Sequence, residues 1–112
     1  TGRYKEMIRR RGENIAPREV EDALALHDGV EQAAVIGAPH PVLGEALEAF
    51  VVPAGNASLK GADVVRFARA GIAGYKVPYK VHVVDGLPLL SSGKPDRGTL
   101  ARRGQRTQVV SR

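Results

Sequence analysis

The sequence has no cysteine, no tryptophan and a single methionine. Without cysteine, disulfides and thiolate metal sites are excluded. That composition fits a reducing cytosol, and a cytoplasmic location is expected. Aromatic residues are scarce, being limited to Phe50, Phe67, Tyr4, Tyr75 and Tyr79. A core must therefore be built from Val, Leu, Ile and Ala. No apolar run approaches the length of a membrane span. The first residues lack the charged–apolar–small order of a secretory signal. They open on Thr1-Gly2-Arg3 with no initiator Met, which suggests a piece of a longer protein. At 112 residues the chain is one domain by length. That length supports one modest core, but not a large catalytic cleft with a nucleotide pocket and a second substrate site.

The net charge is +5, and it is unevenly spread. Residues 1–12 carry Arg3, Lys5, Arg9, Arg10 and Arg11 against Glu6. The stretch from Lys94 onward carries Arg97, Arg102, Arg103, Arg106 and Arg112 against Asp96. Between these ends, residues 19–48 are acid-rich. Two basic ends imply an anionic ligand, such as a nucleotide, a phosphate or a nucleic acid. Residues 102–112 read as a basic, disordered tail after a body spanning residues 1–101.

Residues 3–9 can pair with Glu13–Ile15 around a turn at Arg11-Gly12, where Gly12 supplies a permissive backbone. Pro17 suits the first turn of a helix over Arg18–Leu26, with Val20, Ala23 and Leu24 at helical spacing. Gly29 would stop that helix. Gln32–Ala38 reads as a buried strand, and Ala46–Val52 as a second ending at Pro53. His40-Pro41 and Gly44 form the loop between them. Ala62–Ile72 reads as a helix with one apolar face, with a weak cap at Lys60-Gly61. Val81–Asp85 is a third strand, rich in β-branched residues. Pro95 would open a short last helix running to about Arg103. These elements interleave without regular βαβ repetition. The expected fold is α+β: a small, mainly antiparallel sheet with helices packed on its faces, plus an N-terminal β-hairpin.

His27, His40 and His82 lie far apart with no metal-ligand spacing, so no metal site is expected. His82 alternates with apolar neighbours and should point outward. No Ser-His-Asp arrangement emerges, and Ser91 and Ser92 read as loop residues. Gly93-Lys94 is not the end of a phosphate-binding P-loop. The upstream Gly is missing, and Pro95 stands where Ser or Thr would hold magnesium. What remains is Lys94, a compact cation on a long stem, carried by a glycine-preceded loop. Such a group suits negative charge building on a phosphoryl group.

Four blocks occur in order: Gly2-Arg3-Tyr4-Lys5-Glu6-Met7-Ile8 running on through Arg11-Gly12-Glu13-Asn14-Ile15 to Glu21; Ala34-Val35-Ile36-Gly37-Ala38-Pro39-His40-Pro41 with Gly44-Glu45 and Ala49-Phe50-Val51-Val52; Tyr75-Lys76-Val77-Pro78; and Leu87-Pro88 through Gly93-Lys94. Together they resemble the C-terminal domain of the AMP-forming acyl-CoA synthetases. That superfamily includes peptide-synthetase adenylation domains and beetle luciferases. The resemblance covers about residues 2–100.

The resemblance implies an ATP-dependent reaction in two steps. A carboxylate attacks the α-phosphate of ATP, and a thiol, usually that of coenzyme A, then displaces AMP. A large N-terminal domain of the same enzyme would bind ATP, Mg2+ and the acid. The small C-terminal domain would swing between two orientations and be inactive alone. Lys94 matches the catalytic lysine of adenylation, and Arg3 an ATP-contacting arginine near the hinge. Lys5 or Gly2 stands at the hinge position. The turn Arg11-Gly12-Glu13 matches the loop that faces the site for thioester formation, and Arg9 and Arg69 are further candidates for phosphate contact. Ser92 departs from the family's frequent Thr. An alternative of the same chemistry is a domain that loads a carrier protein's thiol. An alternative of another class is a small basic nucleic-acid-binding module. Few stacking aromatics and an acidic middle argue against nucleic acid.

Overall fold

In a computed structural model, residues 7–42, 44–55, 59–71 and 76–106 are described, with side chains for all of these except 102–106. Ile8–Arg10 (β1) and Glu13–Ile15 (β2) form an antiparallel hairpin. Both turn residues are left-handed, Arg11 at φ 54° and Gly12 at φ 83°. Two consecutive positive φ values make a two-residue turn whose twist matches that of the strands. Gly12 adopts this conformation freely, whereas Arg11 does so at a cost of roughly 1–2 kcal/mol. Ile8 sits opposite Ile15, and both are buried.

Pro17–Leu24 (α1) follows with Pro17 at its first position. It buries Pro17, Val20, Glu21 and Leu24. The helix ends at Leu24, earlier than Leu26, because the N–H groups of Leu26 and His27 bond carbonyls three residues back, those of Ala23 and Leu24, which tightens the chain out of the α-helix. There His27 Nδ1 accepts the Gly29 N–H at 2.9 Å, so an imidazole rather than a left-handed glycine closes the turn.

Val30–His40 (β3) and Gly44–Pro53 (β4) pair antiparallel along nearly their whole lengths. Both are longer than their apolar cores suggested, because backbone pairing carries on through the polar ends. Gly61–Gly71 (α2) leads to Lys80–Val83 (β5), which runs parallel to β4. A parallel pair requires a crossover, and α2 supplies it. The sheet order is β2-β1-β4-β3, with β5 also on β4. Arg97–Arg106 (α3) closes the described chain and continues past Arg103.

Both faces of the sheet are covered. Ile8, Ile15, Val35, Leu47, Val51 and Val81 pack with Val20 and Leu24 of α1 and Val64 and Ala68 of α2. On the opposite face Ala34, Ile36 and Phe50 pack with Leu100 of α3. Full burial of each large aliphatic side chain contributes roughly 1.5–3 kcal/mol relative to exposure. The expected α+β class holds, with helices on both faces and β5 as the one parallel addition.

The covered second face also overturns the expectation for His82. Its side chain does not point to solvent; it is buried, lies flat on Phe50 with ring centroids 4.3 Å apart, and bonds Glu48 Oε1 at 3.1 Å. Alternation correctly separated His82 from Val81. It could not show that α3 and the preceding segment cover the other side.

Candidate functional site

Lys94 stands at the tip of a small loop with a defined backbone. Gly93 N–H donates to the Leu90 carbonyl at 2.8 Å, and Leu90 N–H to the Lys94 carbonyl at 2.8 Å. Leu89 bridges to Pro95 just below. Gly93 has φ 90°, so this turn requires a residue that enters the left-handed region without strain. Ser91, Ser92, Gly93 and Lys94 are all exposed. The turn bends around the two serines, and Lys94, paired with Leu90, is exposed on its downstream leg.

The downstream leg of the loop runs straight into α3. Pro95 was expected to be the first helical residue, but it lies in the bridge to Leu89, ahead of the helix. Asp96 is the residue that caps the helix. Its carboxylate accepts the Thr99 N–H at 3.2 Å and the Thr99 hydroxyl at 2.9 Å. A side-chain oxygen three residues ahead satisfies an otherwise orphaned helix-start donor. Leu100, fully buried on the Phe50 face, pins the first turn of α3 to the sheet.

Arg97 ties that helix start to the other side of the molecule. Its Nε donates to Glu21 Oε2 at 3.0 Å, and its Nη2 to both carboxylate oxygens at 2.7 Å. Glu21 Oε2 also accepts the Val35 N–H of β3 at 2.8 Å. Among the described residues β3 has β4 as its only sheet neighbour, so this N–H faces the open edge of the strand. One buried carboxylate thus joins α1, the edge of β3 and the root of the Lys94 loop. Neither Glu21 nor Arg97 was singled out by the sequence. A signal for Glu21 existed: it is an acid beside Val20 on the apolar side of α1, and a carboxylate there needs a buried partner.

The second candidate tip is the β1–β2 turn. Arg9, Arg11, Gly12 and Glu13 are exposed along it. A Cβ added at Gly12 would meet nothing within 4 Å, so the described chain leaves open space there. The hairpin is docked beside its turn, where Arg10 pairs with Gly44 and Arg9 N–H donates to Glu45 Oε1 at 2.8 Å. Gly44 has φ 85°, and a Cβ there would sit 3.3 Å from the Arg9 carbonyl. The close approach of β1 to β4 therefore depends on glycine.

An open cleft of about 350 Å³ lies between the roots of the two tips, lined among others by Met7, Ile8, Glu45, Leu90, Pro95 and Arg97. The root of the hairpin and the root of the Lys94 loop thus share one side of the domain. Arg69 does not join them. It is exposed on α2, which packs on the sheet face opposite α3. Gly2, Arg3 and Lys5 lie outside the described residues. Among the described residues, no group of three or more His, Asp or Glu side chains could hold a metal ion, and no helix is long and apolar enough to cross a membrane.

Comparison with known proteins adds a family to this geometry. The family model of the AMP-binding enzyme C-terminal domain matches residues 19–94. A feruloyl-CoA synthase of Amycolatopsis sp is 46% identical over 101 residues, covering 90% of this chain and 21% of that protein. A 3-[(3aS,4S,7aS)-7a-methyl-1,5-dioxo-octahydro-1H-inden-4-yl]propanoyl:CoA ligase of Rhodococcus jostii (strain RHA1) is 44% identical over 100 residues, covering 89% of this chain and 19% of that protein. Among solved structures, apo MatB from Rhodopseudomonas palustris superposes with a TM-score of 0.84 at 33% identity, over 91% of this chain and 20% of that one. The chain spans about a fifth of the length of the relatives it matches.

Proposed function

Because the chain belongs to the AMP-binding enzyme C-terminal domain family, we propose that it is the mobile small domain of an AMP-forming acid–thiol ligase, and that Lys94 serves the adenylation step. The supporting observation is the exposed ammonium of Lys94 on a glycine-dependent turn whose root is bonded to the domain core.

In the first step a carboxylate oxygen of the acid bonds to the α-phosphorus of ATP. The bond from that phosphorus to the bridging oxygen breaks, and pyrophosphate leaves with the electron pair. Two anions must meet, and charge builds on the phosphoryl oxygens. A cation held between them offsets the repulsion and stabilises that charge. Lys94 has the reach and the three ammonium donors for this role. Arg3 would contact ATP nearby, with Gly2 or Lys5 as the pivot.

In the second step a thiolate sulfur attacks the acyl carbonyl of the adenylate, and AMP leaves. Coenzyme A is the proposed thiol. Gly12 would let the thiol arm pass close to backbone, and Arg9 and Arg11 would meet its phosphates, with Arg69, set on α2 across the sheet from α3, as an outlying candidate. Glu13 completes that turn. ATP and the acid would be held by a larger N-terminal domain of the same enzyme. Mg2+ would be bound by that domain too, and no step here is assigned to the metal.

The test is to divide the two half-reactions in the longer enzyme. Lys94→Ala should abolish ATP–pyrophosphate exchange and spare thioester formation from supplied acyl-adenylate. Equal loss of both steps refutes the assignment. The 112-residue chain alone should show no ligase turnover, because Lys94 would have no bound ATP to meet.

A further inference from the structure

Lys94 is three residues from Arg97, a stretch that spans at most about 10–11 Å when fully extended. The intervening residues leave little slack. The φ of Pro95 is fixed by its ring, and its backbone bridges to Leu89. Asp96 donates its N–H to the Pro88 carbonyl at 2.9 Å and caps α3. Displacement of Arg97 is therefore passed along the chain to the loop tip.

Arg97 is held by Glu21, which is itself fixed. Glu21 accepts three short hydrogen bonds from the Nε and Nη2 of Arg97. The side-on fork of guanidinium against carboxylate fixes angle as well as distance. The carboxylate is fixed in turn by the Val35 N–H at 2.8 Å, on a strand paired with β4 along its length. Glu21 is 8% exposed, so solvent does little to loosen the pair. From this chain of contacts we infer that Glu21 is a positioning residue for Lys94: through Arg97 it sets where the loop places its ammonium. The inference rests on the adenylation role proposed for Lys94.

Glu21→Gln separates this role from simple sealing of the strand edge. The Gln carbonyl oxygen can still accept the Val35 N–H. Its amide NH2 then confronts the Arg97 donors, so the fork is broken while the edge stays sealed. A misplaced catalytic group costs on the order of 10²-fold in rate. The experiment uses the longer enzyme and measures both half-reactions, with Lys94→Ala in parallel. In Glu21→Gln, the kcat of ATP–pyrophosphate exchange should fall on the order of 10²-fold. The KM for ATP should hold, because the lost interaction belongs to the transition state. Thioester formation from supplied acyl-adenylate should be unchanged. Arg97→Lys keeps the charge but not the fork, and should show the same split if Glu21→Gln fails to fold. Glu21→Asp, with its carboxylate intact, should recover part of the exchange rate.

Equal loss in both half-reactions would make the pair a purely structural tie and overturn the inference. An unchanged exchange rate in both Glu21→Gln and Arg97→Lys would overturn it as well. If Lys94→Ala itself leaves exchange intact, the role of Lys94 fails, and the positioning role fails with it. If Lys94→Ala abolishes exchange while the Glu21 and Arg97 variants do not, only the positioning role fails.

Discussion

The Lys94 loop and the Arg11–Gly12 turn are built alike at the tip and unlike at the root. Each is a short exposed bend with glycine in the left-handed region, at φ 90° and φ 83°. The Lys94 loop is rooted in α3, which rests on the Phe50 face of the sheet and is clamped to Glu21. The Arg11–Gly12 turn is rooted in β1 and β2, whose Ile8 and Ile15 belong to the core on the other face. Under the proposed function one tip serves the first step and the other the second, and each has its own buried anchors. The two roots border one cleft but bury their anchors in different clusters, so loss of one tip should leave the other in place.

The sharpest way to break the comparison is Lys94→Ala. It should lower adenylation by 10²–10³-fold or more, on the scale of one lost electrostatic contact, and leave thioester formation alone. Truncation of the roots comes next. Leu100→Ala and Ile15→Ala each remove a fully buried side chain, at an expected cost of roughly 2–5 kcal/mol in denaturant unfolding. Their activity signatures should differ: in variants that remain folded, Leu100→Ala weakens ATP–pyrophosphate exchange first, and Ile15→Ala weakens thioester formation first. Identical signatures would mean that the roots are not separate.

Gly12→Asn is a milder probe. Asn tolerates the left-handed region, and the described chain leaves open space at Gly12, so stability should hold. The thioester half-reaction should nevertheless fall roughly tenfold, about 1.4 kcal/mol, if the thiol arm passes there. An unchanged rate would reduce Gly12 to a turn former. Arg69→Ala should have the smallest effect. Arg69 is exposed on α2, away from both roots. The KM for coenzyme A should rise by no more than about fivefold, the ~1 kcal/mol ceiling of an exposed ion pair.

Much of this fold was legible in local pattern. The hairpin turn at Arg11-Gly12, Pro17 opening a helix and the β-branched run near Val81 each carry their own short-range reason, and they fall where that reasoning puts them. The family was legible as well, because four spaced blocks constrain more than any one motif. What escaped were relations between residues far apart in sequence. Glu21 and Arg97 are 76 residues apart, so no periodicity links them. Whether His82 meets water or protein depends on α3 covering the second face. The cap on α3 went to Asp96 rather than Pro95 because a carboxylate can satisfy a helix-start donor, whereas proline only tolerates its absence. Of the candidate site, the tips were readable and the roots were not.

β4 borders β3, β5 and, at Gly44, β1. It is also made midway along the chain, and this sets an order of assembly during synthesis. Until Gly44 has left the ribosome, the described strands offer the first hairpin nothing beyond its own pair to join. Once Pro53 has followed, β1 and β3 can close on β4 while β5 and α3 are still to come. The hairpin end of the domain can therefore take shape first. The Lys94 loop, emerging with α3, must wait for Phe50, Glu21 and the edge of β3 to be in place. The tip assigned to the first chemical step is the last to be made, and it is set onto a scaffold that the earlier residues have already built.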